Sequence, residues 1–328
     1  MSDVVPAQSP AMAPANTRLR LEPYSPVYME EWNRCVDEAL NGHLLFYRGF
    51  MDYHSDRFQD HSLTVWCKDK IVAVFPANVR EKTLYSHQGL TFGGLVHGEK
   101  FYAADTLAFY DLLKEYMRAN GFSRLICKPV PMPYTQGLCQ AQEYALSQAG
   151  ARIIERHLSA AVDLQNPLPM SELRVRGVKK ALKANICIEE SCDFSSFLNL
   201  LSGVLEKHGA TPKHTLEELN LLKSRFPEEI RLIGAFQNKI MLAAVLVFFT
   251  RTAAHTQYIC ASPEGQKLGA LDLIMETLLE EEKKTKRSWL CFGISTEADG
   301  SVLNHGLMHQ KEGFGARGFL HEIYELAV

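Results

Sequence analysis

Within residues 253–297, AAHTQYICASPEGQKLGALDLIMETLLEEEKKTKRSWLCFGISTE, the hydrophobic period switches from two to about 3.6 and back. Few folds accommodate that order. AAHTQYICA alternates as a strand with two different faces does. Ser262-Pro263-Glu264-Gly265 reads as a turn, and from Gln266 onward Leu268, Leu271, Ile274, Met275, Leu278 and Leu279 fall on one helical face. Lys283, Lys284, Lys286 and Arg287 close the helix at the negative end of its dipole, and a buried strand over 288–293 follows. Two strands joined through one helix make a βαβ unit with a right-handed crossover.

The 328 residues are enough for two domains, and 46% hydrophobic with 22% charged content is that of a globular chain with a full core. A formal net charge of −3 supplies no overall attraction to nucleic acid or membrane, so such a partner needs a local patch. Residues 240–250 form the longest apolar run, too short to span a bilayer. Residues 1–18 lack a basic region followed by an apolar core; their Pro, Ala and Ser content predicts a disordered leader. The eight cysteines make no C-x-x-C pair, and Cys127, Cys260 and Cys291 lie in apolar strands, the pattern of reduced thiols in a cytoplasmic protein.

Asn166-Pro167-Leu168-Pro169 divides the chain into domains 19–166 and 167–328. The two read as copies of one α/β plan with a mixed sheet: strand, strand, strand, helix, strand. Lys70-Ile71 and Lys239-Ile240 each open a strand after a polar turn, and Gln88 and Gln257 sit at the same offset of 169 (239 − 70 and 257 − 88). Helices are expected over 28–40, 104–118, 170–184 and 302–311, with a final strand over 318–326.

A duplicated mixed-sheet domain of this order resembles the Fem-type aminoacyltransferases, whose halves each resemble the Gcn5-related N-acetyltransferase (GNAT) fold. LRVRGVKKALKANICIEE, from Leu173, is similar to the basic helix that opens the family's second domain, and LLFYRGFMDY, from Leu44, to its aromatic acceptor-side segment. Gln310-Lys311-Glu312-Gly313-Phe314-Gly315 resembles the Phe-Lys-x-x-Phe-Gly ending, with Gln310 replacing the Phe. LYSHQGLTFGGL, GALDL and QKEGFGARG are similar to a group of bacterial FemAB-like or GNAT-like N-acyltransferases. The resemblance implies tandem GNAT-like domains and transfer of an acyl or aminoacyl group from an activated ester or thioester to an amine on a small molecule or peptide. Its donor would be acyl-CoA, such as acetyl-CoA, or aminoacyl-tRNA, engaged through the acceptor end. A ligand-binding or scaffold module with the same fold is the alternative from another class.

Amide formation needs a deprotonated amine, two reactants held together and a stabilised oxyanion. The resemblance implies that Lys311 acts at the reacting carbonyl. On the 253–261 strand, alternation puts His255 and Gln257 on one face and Thr256 and Tyr258 on the other; His255 has the ordinary pKa of a general base. His87-Gln88 holds the related place in the first half. Tyr47, Arg48 and His54 in the aromatic segment, with Tyr258 and Asn304, are candidates for acceptor binding, and Ser295 and Glu297 also follow a strand end. Coenzyme A-dependent relatives cradle pyrophosphate on Arg/Gln-x-x-Gly-x-Gly/Ala; here Gln266, Gly269 and Ala270 fit and Leu271 departs. Arg174, Lys179 and Lys180 suit tRNA phosphates. His305 and His309 have helical zinc-ligand spacing but no H-E-x-x-H, and no metal is expected. No nucleophile elbow or phosphate-loop motif occurs.

Overall fold

The computed structural model describes residues 19–328; the leader expected over 1–18 lies outside them. The expected βαβ unit is present: Ala253–Ala261 and Trp289–Ile294 pair in parallel, joined through helix Ala270–Glu282. They sit inside an eleven-stranded mixed sheet. On one side of the pair, Ile240–Phe249, Ile230–Gln237 and Cys187–Ser191 continue antiparallel to the sheet's edge. On the other side lie Arg152–Asp163, then Arg317–Ala327, then the first half's Arg124–Cys127, Thr83–Tyr85, Asn78–Arg80 and Gln59–Asp60. Leu19–Pro23, Leu63–Cys67, Lys70–Phe75 and Val96–His97 form a separate four-stranded sheet.

The halves exchange their last strands. Arg152–Asp163, which ends the first half, runs against Trp289–Ile294 of the second. Arg317–Ala327, which ends the second, runs against Arg124–Cys127 of the first. The two exchanged strands also pair with each other, so one sheet crosses both halves.

The duplication is visible in register. In the first half Cys67 faces Lys70, Trp66 faces Ile71 and Val65 faces Ala73, leaving Val72 bulged out. In the second, Gln237 faces Ile240, Phe236 faces Met241 and Ala235 faces Ala243, leaving Leu242 bulged out. Every pair is offset by 170 (240 − 70, 243 − 73), not the 169 that matching Lys70 to Lys239 suggests. The parallel pairs keep the same offset: Thr83 opposite Arg124 and Ala253 opposite Trp289 begin them, and 253 − 83 is again 170. Gln257 is therefore the counterpart of His87 rather than of Gln88.

Two local expectations change. Residues 262–265 are not a free turn but the start of helix Pro263–Leu268; Ser262 Oγ accepts from Gly265 N at 2.9 Å and Pro263 occupies the first position, where no N–H is needed. Gly269 then interrupts the helix with φ +77°, and Ala270–Glu282 begins anew. Residues 302–311 are not all helical: Val302–Leu303 pairs with Thr296–Glu297, and only His305–Glu312 is helix, capped by Asn304.

Helix Glu172–Lys183 crosses the Gly269 break so closely that glycine is required on both sides. A Cβ on Gly269 would lie 2.3 Å from Gly177 O, and one on Gly177 would lie 1.9 Å from Asp272 Oδ2. Both helices bury apolar faces (Val178 and Ala181; Leu273, Ile274 and Leu278) on the second half's sheet. Gly177→Ala and Gly269→Ala should each cost about 2 kcal/mol or more, read by urea denaturation. Gly203 in helix Phe194–Leu205 has open space around its Cβ position. Gly203→Ala should therefore stabilise by about 0.5–1 kcal/mol in the same experiment.

Candidate active site

The parallel ladder joins residues 253–256 to 289–292 and stops there. Leu246 faces Tyr258 and Val247 faces Thr256, so Gln257 is the extra residue of a β-bulge where the parallel strands part. The bulge resets the alternation. His255 faces Phe248 and Tyr258 faces Leu246, and both partners belong to the core shared with the first half. Tyr258 thus shares the face of His255, not that of Thr256 as strict alternation predicts. Thr256 Oγ1 donates to Cys291 O at 3.2 Å; its counterpart Ser86, at offset 170, accepts from Lys128 N at 2.8 Å.

The first half's own divergence is closed. Gly93 N donates to Lys128 O at 2.6 Å, Gly93 bridges to Pro129, and a Cβ on Gly93 would sit 2.1 Å from Ser86 O. The second half's divergence opens instead into a cavity of about 520 Å³ lined by Ile259, Ala261, Gln266, Gly269, Phe292 and Lys311 among others.

Lys311, on helix His305–Glu312, is 5% exposed. Its Nζ donates to Ile294 O at 2.8 Å, to Ser295 Oγ at 2.8 Å and to Gly293 O. Burial lowers its pKa to about 8. The ammonium thus caps the carbonyls that the parting strand leaves behind, at the wall of the cavity.

Of the donor-side candidates, Gln266, Gly269 and Arg174 line this cavity, and Ala270 is fully buried beneath it. Arg174 is already engaged: Nη1 donates to Asp272 Oδ1 at 2.9 Å, and the guanidinium lies 4.6 Å from the Phe314 ring centroid. Asp272, in the first turn of Ala270–Glu282, places its carboxylate at the positive end of that helix. Lys179 and Lys180 are exposed on helix Glu172–Lys183 and do not line the cavity.

A second cavity of about 400 Å³ lies between the halves and brings together His54, Gln88 and Gln257 with Phe50, Tyr53 and His214. Tyr258 stands behind it, its hydroxyl accepting from Lys213 N at 3.2 Å and lying 2.8 Å from His214 Nδ1. His87 is buried with φ +71° and stacks on His54, 5.2 Å between centroids; burial lowers its pKa to about 3. Three acceptor candidates fall elsewhere. Tyr47 donates to Asp37 beside a separate cavity, with its neighbour Arg48 buried against Asp52, Asp60 and the Tyr24 ring. Asn304 serves as a helix cap, Oδ1 accepting from Leu307 N and Nδ2 donating to Glu297 Oε1.

His255 lies 2.7 Å by Nδ1 from the Tyr134 hydroxyl. Burial, and then the nearby Lys311 charge, lowers its pKa to about 4. That value fits proton abstraction at neutral pH poorly. Asp272, Tyr134 and His214 were not singled out from sequence. Asp272 had a visible signal, an acid in the first turn of an amphipathic helix; Tyr134, in the short helical turn Met132–Tyr134, and His214, in a loop, meet their partners His255 and Tyr258 only through tertiary contacts.

No protein-family model and no curated protein matches the sequence. Solved structures do match the fold. FemX superposes with a TM-score of 0.66 at 12% identity, covering 94% of this chain and 97% of that one. The C-terminal domain (DUF2156) of a putative lysylphosphatidylglycerol synthetase from Agrobacterium fabrum gives 0.63 at 11% identity, covering 91% and 92%. L-PGS from Bacillus licheniformis gives 0.57 at 10% identity, covering 93% and 92%. The chain has the FemAB-like fold of two GNAT-like halves. Among the described residues no helix is long and apolar enough to cross a membrane, and no cluster of His, Cys, Asp or Glu is arranged to hold a metal ion.

Burial holds His214 and His255 near pKa 4 and His87 and His321 near 3, below the ordinary imidazole value. The unfolded chain therefore binds more protons between about pH 6.5 and 4, and stability is present above that window and lost as pH falls through it. Urea unfolding at pH 7, 6 and 5 should show the loss, steepening by about 1.4 kcal/mol per pH unit for each such histidine. His321→Leu should flatten the slope.

Proposed function

We propose that this chain is an N-acyltransferase that moves an acyl or aminoacyl group from an activated ester or thioester to an amine. The observation that carries the reading is the buried Lys311 ammonium at the wall of the cavity where the parallel strands part. With the donor carbonyl there, the neutral amine attacks the carbonyl carbon and negative charge develops on its oxygen. Lys311 supplies a fixed positive charge in a low-dielectric site, where such a charge stabilises most. Two of its hydrogens are held by backbone carbonyls, so direct contact with the oxyanion comes by displacing Ser295 Oγ, the one partner on a rotatable side chain. The C–O or C–S bond then breaks; the new amide keeps one amine hydrogen and the other leaves on the alcohol or thiol. No enzyme nucleophile is required. Cys260, which lines the cavity, and Cys291 are pushed up to about 12 by burial.

The donor that the geometry favours is an aminoacyl ester such as aminoacyl-tRNA. In the turn where coenzyme A-dependent relatives hold pyrophosphate, two amides are already used: Gln266 N donates to Ser262 O at 2.8 Å and Gly269 N to Gln266 O at 3.3 Å. The Asp272 carboxylate, paired with Arg174, stands where a phosphate would be drawn. The exposed Lys179 and Lys180 are left to meet nucleic-acid phosphates outside the cavity. Acyl-CoA is the second reading, favoured by Gln266 and Gly269 lining the cavity. Thermal shift with acetyl-CoA and with aminoacyl-tRNA separates the two. Stabilisation by aminoacyl-tRNA alone is expected, and stabilisation by acetyl-CoA alone reverses the donor assignment.

Lys311 is charged below its pKa and neutral above it. The rate constant kcat/KM should fall about tenfold per pH unit above pH 8. Lys311→Met should lower kcat by about 100-fold or more. It should also lower Tm, because the Gly293 and Ile294 carbonyls lose a buried donor. Lys311→Arg separates the roles: its charge persists at high pH, so any residual activity should lack the alkaline decline. A wild-type profile flat through pH 9 would remove Lys311 from the mechanism.

A further inference from the structure

The cavity between the halves carries information about the acceptor. It opens beside Gln257, and the donor-side cavity is lined from Ile259 onward. Along the strand Gln257 and Ile259 are two positions apart, about 7 Å. The two cavities therefore adjoin along one strand.

Its walls are unusual in their charge. Arg57 and Lys213 line it, together with His54, His214, Gln88 and Gln257, and no aspartate or glutamate does. Two carboxylates stand on Arg57: Asp56, with Oδ1 3.9 Å from Arg57 Nε, and Glu218, which also closes the capping box of helix Leu216–Arg225 through Thr215 N at 2.9 Å. Among the described residues the Lys213 ammonium has no carboxylate within ion-pair distance. Burial keeps His54 and His214 neutral, and Arg57 is paired with Glu218 and Asp56, so among the described residues the lining charge left without a carboxylate is the Lys213 ammonium. One wall is a column of near-parallel rings. His87 stacks on His54 at 14°, His54 on Tyr53 at 4.3 Å and 20°, and Tyr53 on His214 at 5.9 Å and 22°.

A site whose one unpaired lining charge is an ammonium repels a second ammonium. It disfavours the protonated form of a bound amine, which is the form that cannot attack a carbonyl. The rest of such an acceptor must supply the attraction, so it carries negative charge. Because the stacked rings cover one another's faces, the column offers ring edges, which meet the face of a ring or sugar in a T-shaped contact. We infer that this inter-half cavity takes an amine borne on an anionic, ring-containing scaffold, with a carboxylate or phosphate on Arg57 and Lys213 and the ring against the Tyr53–His54 column. The inference rests on the acyltransferase reading for what happens to the amine, but not for the binding itself.

The test is calorimetric titration of the full chain with two pairs of amines, tyrosine against tyramine and glucosamine 6-phosphate against glucosamine. Within a pair the anionic member should bind about tenfold more tightly or better, a gap that narrows as salt is raised. The tyrosine pair reads a carboxylate and the glucosamine pair a phosphate, so the pair showing the gap names the anion. Lys213→Glu, at an exposed position, should erase or invert it. Equal binding within both pairs, preference for tyramine and glucosamine, or no binding by any of the four overturns the inference. So does a gap that survives Lys213→Glu. Acyl transfer to an uncharged amine would leave the acyltransferase reading standing while this one falls. Selective binding without any transfer from either donor does the reverse.

Discussion

Two parallel strands that part inside a protein abandon backbone carbonyls to a medium without water, and those groups must find donors. Here the donor is an ammonium. Lys311 reaches from its helix to the carbonyls of Gly293 and Ile294 just beyond the last ladder pair. The same bond holds the strands apart and holds a positive charge at the cavity wall. Under the proposed function, stability and chemistry therefore share one side chain. Burial lowers the lysine's pKa toward the range where enzymes work, while its oxygen partners favour the charged form.

The first half shows what happens without that arrangement. Its parallel pair begins in the same register, and a hydroxyl stands at the same place, Ser86 for Thr256. Yet Gly93 approaches Ser86 closely enough to exclude any side chain, and the gap is sewn shut. One half keeps an open divergence and the other contributes walls. The exchanged strands Arg152–Asp163 and Arg317–Ala327 lock the halves into a single sheet, which fixes the inter-half cavity relative to the one beside Lys311.

Much of the fold was legible because it follows from periodicity. The 3.6 spacing of Leu271, Ile274, Met275 and Leu278 and the apolar run of Ile240–Phe249 leave little choice of structure. The site was legible only in part. Lys311, Gln266 and Gly269 line one cavity, and His54, Gln88 and Gln257 another. The bulge at Gln257 was not visible, since local alternation holds no record of an unpaired residue, and it moved Tyr258 to the other face. Arg48 and Asn304 have the chemistry of binding residues, and only their neighbours show that Asp60 and Leu307 N have already claimed them.

By itself the sequence determined the elements, the duplication and the short roster of polar groups able to do chemistry, because each depends on residues close together in the chain. Which of them meet, and in what state, was decided by tertiary structure. Strand register, the exchange between halves and burial join residues more than a hundred positions apart, such as Tyr134 with His255. The ionisation of a lysine or histidine depends on the water those contacts exclude, and no stretch of sequence contains that quantity.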